Sequence, residues 1–538
     1  MNYLKTVFKD VLYVSKITGT NRKKVLVLTS VLFSQLAVVV DVFLIGLFAY
    51  LIADQKTNIQ FVDLIAEYFK TYSFLIIFLV IFRFLFLFLQ SYILRRIEFT
   101  VTKNLKEFIL KRIFERRTYS ISDSYFYTNS LSGHIGYFYS NLASFLNSLI
   151  SILIFSSYLI ISNLEVLAIF ALGLIILFFP IKKLVLITRD YVDKTYFASR
   201  DSMGEIERVI ENLFLIKILK KEDAELSKFS STLTSLNSHL LNKHIFGVVN
   251  GYLPSFLTLM ILSVILIFFS SIKLTLDFIG VILKLFQSIS AVTTSFSNIV
   301  NSHVHIQRFK ELKFHENNKY EQNFIIDEEK NTLNFEKVYF KYQNSKEFIF
   351  ENLNLEFTKG THTIITGENG TGKSTILGLA AGIFYSQEGS VTSYSNKFGY
   401  VSAQPYIFND TLYNNIVYGN EELMVTESEL LEVLKEFNTF KNEAEYDLNR
   451  IVSNKSLSSG QMQKIGFARI LISKPDIILL DESTSNLDKE SKGIVFKNLK
   501  DNNSTVINST HDPDNFDFVD HHIQINILDE KRVIKKIF

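Results

Sequence analysis

Apolar and polar positions divide this 538-residue chain in two. Up to about residue 305 it carries long, almost unbroken apolar runs, whereas from Asn331 onward short apolar strands alternate with polar, glycine-containing turns. A bilayer core about 30 Å thick is crossed by about 20 apolar helical residues. Six runs reach that length: roughly Val25 to Ile52, Ser73 to Ile93, Ser140 to Ser162, Val166 to Thr188, Ile245 to Ser270 and Leu274 to Ile299. The pattern predicts an α-helical polytopic membrane domain of six spans over 1–305, a charged linker over 306–332 and a second domain of strands and helices over 333–538. The connections at about 94–139 and 189–244 are long, mixed in charge and poor in turn signals. At about 1.5 Å per residue, helices there form arms reaching tens of ångströms beyond the membrane.

Charge orients these spans. Six basic residues precede the first run, and Arg95, Arg96, Lys103, Lys106, Lys111, Arg112, Arg116 and Arg117 follow the second, while the opposite loops hold only Lys56, Lys70 and Lys273. The positive-inside tendency then places both termini and the second domain in the cytoplasm. The first run is too long for a cleavable signal and reads as an anchor. With 56 Lys plus Arg against 54 Asp plus Glu, the formal charge is +2, so no chain-wide attraction to nucleic acid is expected. The absence of Cys excludes disulfides, thiolate metal sites and cysteine nucleophiles.

Chemistry enters at Gly367-Glu-Asn-Gly-Thr-Gly-Lys373-Ser374, which fits the phosphate-loop pattern between an apolar strand, His362 to Thr366, and a helix opening at Thr375. Gly367, Asn369, Gly370 and Gly372 let backbone N–H groups close around phosphates; Lys373 neutralises their charge and Ser374 offers a hydroxyl to Mg²⁺. The run Pro475 to Leu480 reads as a buried strand ending in Asp481 and Glu482. Asp481 is the candidate metal ligand and Glu482 the candidate base for an attacking water.

Between these motifs lies Leu457-Ser458-Ser459-Gly460-Gln461, and with it residues 335–512 resemble an ATP-binding cassette (ABC) protein in motif order. The resemblance implies an α/β P-loop NTPase fold of the ABC type, with ATP and Mg²⁺ as cofactors. It assigns Tyr342 to adenine stacking and Thr375 to the phosphate loop. Gln404, in Tyr-Val-Ser-Ala-Gln-Pro, becomes a contact to metal and attacking water, and His511 the switch histidine. Ser458, Gly460, Gln461 and Asp488 become contacts to nucleotide across a dimer. Two departures stand out: Ser459 replaces the usual signature glycine, and only 15 residues separate Gly389 from Gln404, shortening a strand pair. An acidic-glycine segment common before the signature is also missing, with Arg450-Ile-Val-Ser-Asn-Lys-Ser in its place.

Six spans fused to a cassette resemble the exporter half-transporters, in which two chains sandwich each ATP. That implies a second copy of this chain as partner, a bacterial inner-membrane location and a membrane-lipid environment. Ile121 to Tyr127 and Val209 to Leu215 resemble coupling segments. A soluble-type ATPase with an anchor is disfavoured by six spans, and a nucleotide-gated channel by the intact Glu482 and His511. Asp41, Arg83 and Lys284 lie inside apolar runs, and their placement loosely resembles exporters of lipid-linked oligosaccharides. The expected substrate is small and amphipathic, an anionic lipid-linked or saccharide molecule; multidrug or peptide export is the alternative.

Overall fold

A computed structural model describes residues 2–19, 24–53, 60–115, 121–162, 164–268, 275–311, 321–342, 345, 347–420, 422, 425–501, 503–511, 513, 516, 518–528 and 531–538. The chain divides into two compact units, Met1–His315 and Glu316–Phe538.

The first unit is helical throughout its described length. In order come α1 (Asn2–Ile17), α2 (Lys24–Ala53), α3 (Gln60–Thr71), α4 (Leu75–Glu115), α5 (Ile121–Tyr125), a π-helical turn over Phe126–Leu131, α6 (Ser132–Ser162), α7 (Leu164–Glu211), α8 (Leu213–Ile218), α9 (Glu222–Phe268) and α10 (Leu276–Glu311). Five of these helical stretches are long and apolar enough to cross a membrane. The fourth predicted span, Val166 to Thr188, falls in α7, and the side chains of its first 13 residues lie outside the described set. Exposed Phe78, Phe82, Phe84 and Phe88 stud α4, as lipid-facing residues would.

The arms are continuations of the spans rather than separate helices: α9 alone has 47 residues, about 70 Å at the α-helical rise. At their turning points sit the short α5 and α8. The opposite connection after the first span holds the helix α3, whose apolar residues recur at helical spacing. The amphipathic α1 packs against the end of α10, where buried Asp10 accepts from Lys310 Nζ (2.6 Å) and pairs with His303 Nε2 (3.0 Å).

Parts of the stretch read as a linker are structured: α10 continues to Glu311, and Phe324–Ile326 forms β1; residues 312–320 lie outside the described set. The second unit then runs β2 (Thr332–Phe340), β3 (Phe350–Thr358), β4 (His362–Gly367), α11 (Lys373–Ala380), β5 (Glu388–Ser393), β6 (Phe398–Ser402), β7 (Asp410–Thr411), α12 (Leu412–Val417), α13 (Glu427–Glu436), β8 (Ile451–Val452), α14 (Ser459–Ser473), β9 (Ile477–Asp481), α15 (Lys489–Asp501), β10 (Thr505–Ser509), β11 (His521–Leu528) and β12 (Lys531–Lys536). The main sheet has the order β12-β11-β4-β10-β9-β6, parallel except for β12, beside a sheet of order β1-β5-β2-β3. Strands β9 and β10 are buried almost throughout; β9 reads accordingly as a continuous apolar run, whereas β10 also buries Thr505, Asn508 and Ser509. Their register aligns Ser402, Asp481 and Ser509 at one level. Sites in open parallel sheets form beyond this carboxyl edge.

Candidate functional site

The phosphate loop leaves β4 and closes on α11 through backbone that only glycine adopts easily. Gly367, Gly370 and Gly372 have φ of 152°, 81° and 103°. A Cβ at Gly367 would stand 2.5 Å from the Ile525 carbonyl, and one at Gly372 2.7 Å from the Phe350 ring, so the loop is also pressed close on both sides. Lys373 is buried and donates to the carbonyls of Gly367 (2.7 Å) and Glu368 (3.1 Å). Burial lowers its ammonium below the ordinary lysine range, while Glu482 and Asp481 work in the opposite sense. Ser374, next along the helix, is exposed.

From the ends of β9 and β10 come the acidic and imidazole groups. Glu482 follows β9 with φ 52° and donates its N–H to Ser509 O (2.9 Å), which fixes the turn where the carboxylate emerges. His511 Nε2 stands 2.8 Å from Glu482 Oε1 and 2.9 Å from Asn369 Oδ1. A proton on this nitrogen would serve either of these two oxygens. Lys373 Nζ lies 3.5 Å away. Glu482, His511, Asn369 and Lys373 thus share one small region beside Asp481. Tyr342, on the other flank, hydrogen-bonds its hydroxyl to Thr375 Oγ1 (2.9 Å) and packs edge-on against Phe340 and Phe384.

The signature segment is a helix cap. Ser458 Oγ accepts the Gln461 N–H (3.3 Å), and Gln461 Oε1 accepts the Ser458 N–H (2.9 Å), a reciprocal capping box at the start of α14. Asp488 caps α15: its carboxyl is held down to about 2 by the Ser491 N–H (2.8 Å) and by Lys464 (3.0 Å). Gln404 ends its segment with its carbonyl accepting from Ser402 Oγ (2.8 Å). No hydrogen bond or ion pair joins Ser458, Gly460 or Gln461 to the phosphate loop among the described residues.

Two residues that the motifs did not mark hold these pieces together. Gln463, fully buried on α14, donates to Ala403 O (3.0 Å) and accepts the Asn486 N–H (3.1 Å), tying the signature helix to the segments of Gln404 and Asp488. Arg532, on the last strand, donates to Thr371 O (3.1 Å) and Gly370 O (3.4 Å) of the phosphate loop. In the membrane unit, Asp41 of α2 accepts from Arg83 of α4 and from Lys284 of α10 (3.2 Å).

An ABC transporter family model matches residues 350–485. An energy-coupling factor transporter ATP-binding protein, EcfA1, of Fusobacterium nucleatum is 32% identical over 197 residues, covering 33% of this chain and 73% of that protein. The chain belongs to the ABC transporter family. An ATP-dependent lipid A-core flippase of Pectobacterium atrosepticum is 33% identical to this ABC chain over 182 residues, 31% of each protein. In five further curated relatives the match spans between 13% and 30% of their length. The structure of a bacterial Atm1-family ABC exporter with ATP bound superposes at a TM-score of 0.72 over 94% of both chains, at 17% sequence identity, and so shares its fold. The ABC chain is accordingly a multi-pass membrane protein carrying an ABC nucleotide-binding domain.

The donor set fits Mg²⁺-ATP. The glycine cradle presents N–H groups at a helix N-terminus, with an exposed Ser374 hydroxyl, a buried ammonium and the Asp481 carboxylate nearby.

Proposed function

We propose that this ABC chain hydrolyses ATP to drive export or flipping of a small amphipathic substrate, anionic and lipid-linked or saccharide-bearing, out of the cytoplasmic leaflet. The observation that carries the reading is the contact of His511 with Glu482 beside the phosphate loop. A structural ABC module needs the loop but has no use for an aligned base. In this reading Gly367, Asn369, Gly370, Gly372, Lys373, Ser374 and Thr375 bind the triphosphate, and Tyr342 stacks on the adenine. Asp481, Ser374 and Gln404 hold Mg²⁺, which would draw off negative charge from the phosphates. Glu482 orients and deprotonates the attacking water, while His511 donates toward the developing charge and keeps Glu482 in place.

The active unit is a homodimer. Each chain holds both halves of a composite site, with Ser458, Gly460, Gln461 and Asp488 reaching the nucleotide bound by the other copy. The flippase relative and the Asp41, Arg83 and Lys284 cluster support a lipid-like anionic substrate. The basic connections support a bacterial inner-membrane protein with both termini and the nucleotide-binding domain cytoplasmic. The decisive experiment reconstitutes the protein in nanodiscs and proteoliposomes. Steady-state ATP hydrolysis, raised by a polyprenyl-pyrophosphate saccharide and accompanied by its vectorial movement, supports the reading; hydrolysis stimulated only by peptides or hydrophobic cations replaces the substrate class.

A further inference from the structure

Between α7, α9 and α10 lies a cavity of about 560 Å³ that neither the nucleotide site nor the Asp41 cluster uses. Its size suits a small ligand or headgroup. None of its lining residues carries a carboxylate, yet Lys243 lines it, half-buried and without a hydrogen bond or ion pair among the described residues. An ammonium withdrawn from water and left without a counter-charge is costly. The cations in the Asp41 cluster, by contrast, are neutralised in part by that carboxylate.

Three observations say what would balance Lys243. First, Lys243, Gly247 and Gly251 recur every four residues and so share one face of α9. A Cβ at Gly247 would meet nothing within 4 Å, so close helix packing does not account for this glycine; the bare backbone opens onto space. Second, Thr294 and Ser297 of α10 also line the cavity, and their hydroxyls can donate to anionic oxygens. The site therefore holds hydrogen-bond donors beside its charge. Third, Lys243 lies two residues before the apolar run opening at Ile245, the level at which lipid phosphates sit along the cytoplasmic leaflet. The stacked imidazoles of His134 and His305, 4.1 Å apart and nearly parallel, lie within electrostatic reach of Lys243 and add no negative charge.

We infer that this cavity binds a phosphate-bearing group, the ammonium of Lys243 pairing with the phosphate while polar side chains of α10 take its neighbouring oxygens. The inference deepens the transport reading and rests on it. The phosphate could belong to a lipid headgroup or to a soluble phosphate ester.

The chain contains no Trp, so Tyr252→Trp, at the cavity lining, gives a single fluorescent reporter in full-length protein in neutral nanodiscs without nucleotide. It is titrated with glycerol 3-phosphate, with dihexanoyl phosphatidic acid and with uncharged dihexanoylglycerol. Saturable changes with both phosphates support a site for phosphate from either source; a change with phosphatidic acid alone assigns it to lipid. Lys243→Gln should weaken the midpoint about tenfold or more, the loss of about 1.4 kcal/mol of charge-assisted pairing. Lys243→Arg should restore most of it. Gly247→Leu, which keeps the charge but fills the space, should weaken binding as strongly, which attraction to a basic surface would not require. An equal response to dihexanoylglycerol, no response to either phosphate, or an unchanged midpoint in folded Lys243→Gln or Gly247→Leu overturns the inference. Because binding is read without ATP, such a failure is distinct from failure of hydrolysis or of its coupling to transport.

Discussion

His511 and Glu482 meet at the carboxyl edge of the main sheet, ring nitrogen to carboxylate at 2.8 Å, although 29 residues of chain separate them. Register places them: Ser509 pairs with Asp481 across β10 and β9, so the residues just beyond each strand emerge side by side.

From that contact, Glu482→Gln is expected to keep ATP binding and to lose hydrolysis by about a hundredfold or more, the usual span for removing a positioned base. His511→Ala should fall in the same direction. Fluorescent-nucleotide binding alongside phosphate release measures both; near wild-type turnover in Glu482→Gln removes it from the base role. Lys373→Ala should lose binding itself.

Mixing chains tests the composite site. Lys373→Ala and Ser458→Ala alone should each be inactive, whereas the mixed dimer holds one doubly damaged and one intact site. Partial recovery of ATPase on co-expression is expected. If mixed dimers form and remain silent at every ratio, the two sites do not act independently.

Asp488 supplies a pH-dependent test. Its native carboxyl lies near 2, below the ordinary value of 3.8, so its contribution is present above about pH 4 and is lost as pH falls toward 2. The group is exposed, and screening keeps the effect small. Asp488→Asn should cost about 0.5–1 kcal/mol at pH 7. The gap in thermal midpoint between the two proteins should close as the pH approaches 2; a gap independent of pH would assign it to side-chain shape.

Arg83→Gln leaves Asp41 with Lys284 alone, and Asp41→Asn leaves two cations unbalanced. Each should destabilise the protein, on the order of 2 kcal/mol, and the double variant, which still leaves Lys284 without its carboxylate, should regain only part of that. Transport then separates two roles. A purely structural pair restores transport with stability, while a site that receives an anionic headgroup does not.

Contiguous signals made much of this architecture readable. The apolar runs marked helices because their length alone matches a bilayer, and the phosphate loop because its glycines, Lys373 and Ser374 occupy eight successive positions. Long-range ties left no such trace. Gln463 is one polar residue in a helix of mixed composition, and only the fold brings Ala403 and Asn486 to its amide. Asp41, Arg83 and Lys284 each stand out as a charge inside an apolar run, but that all three meet depends on how α4 and α10 pack against α2. The helix α3 was hidden because its apolar face is too short and too interrupted by acids to stand out beside two membrane spans.

Arg532 gives the C-terminal hairpin a share in the phosphate loop, since its guanidinium grips the carbonyls of Gly370 and Thr371 from β12. Phe538, six residues on, closes the same hairpin by accepting the His522 N–H (3.1 Å). The tail is therefore mechanically continuous with the nucleotide cradle. A bulky dye carried on that hairpin would load the nucleotide cradle through the same guanidinium.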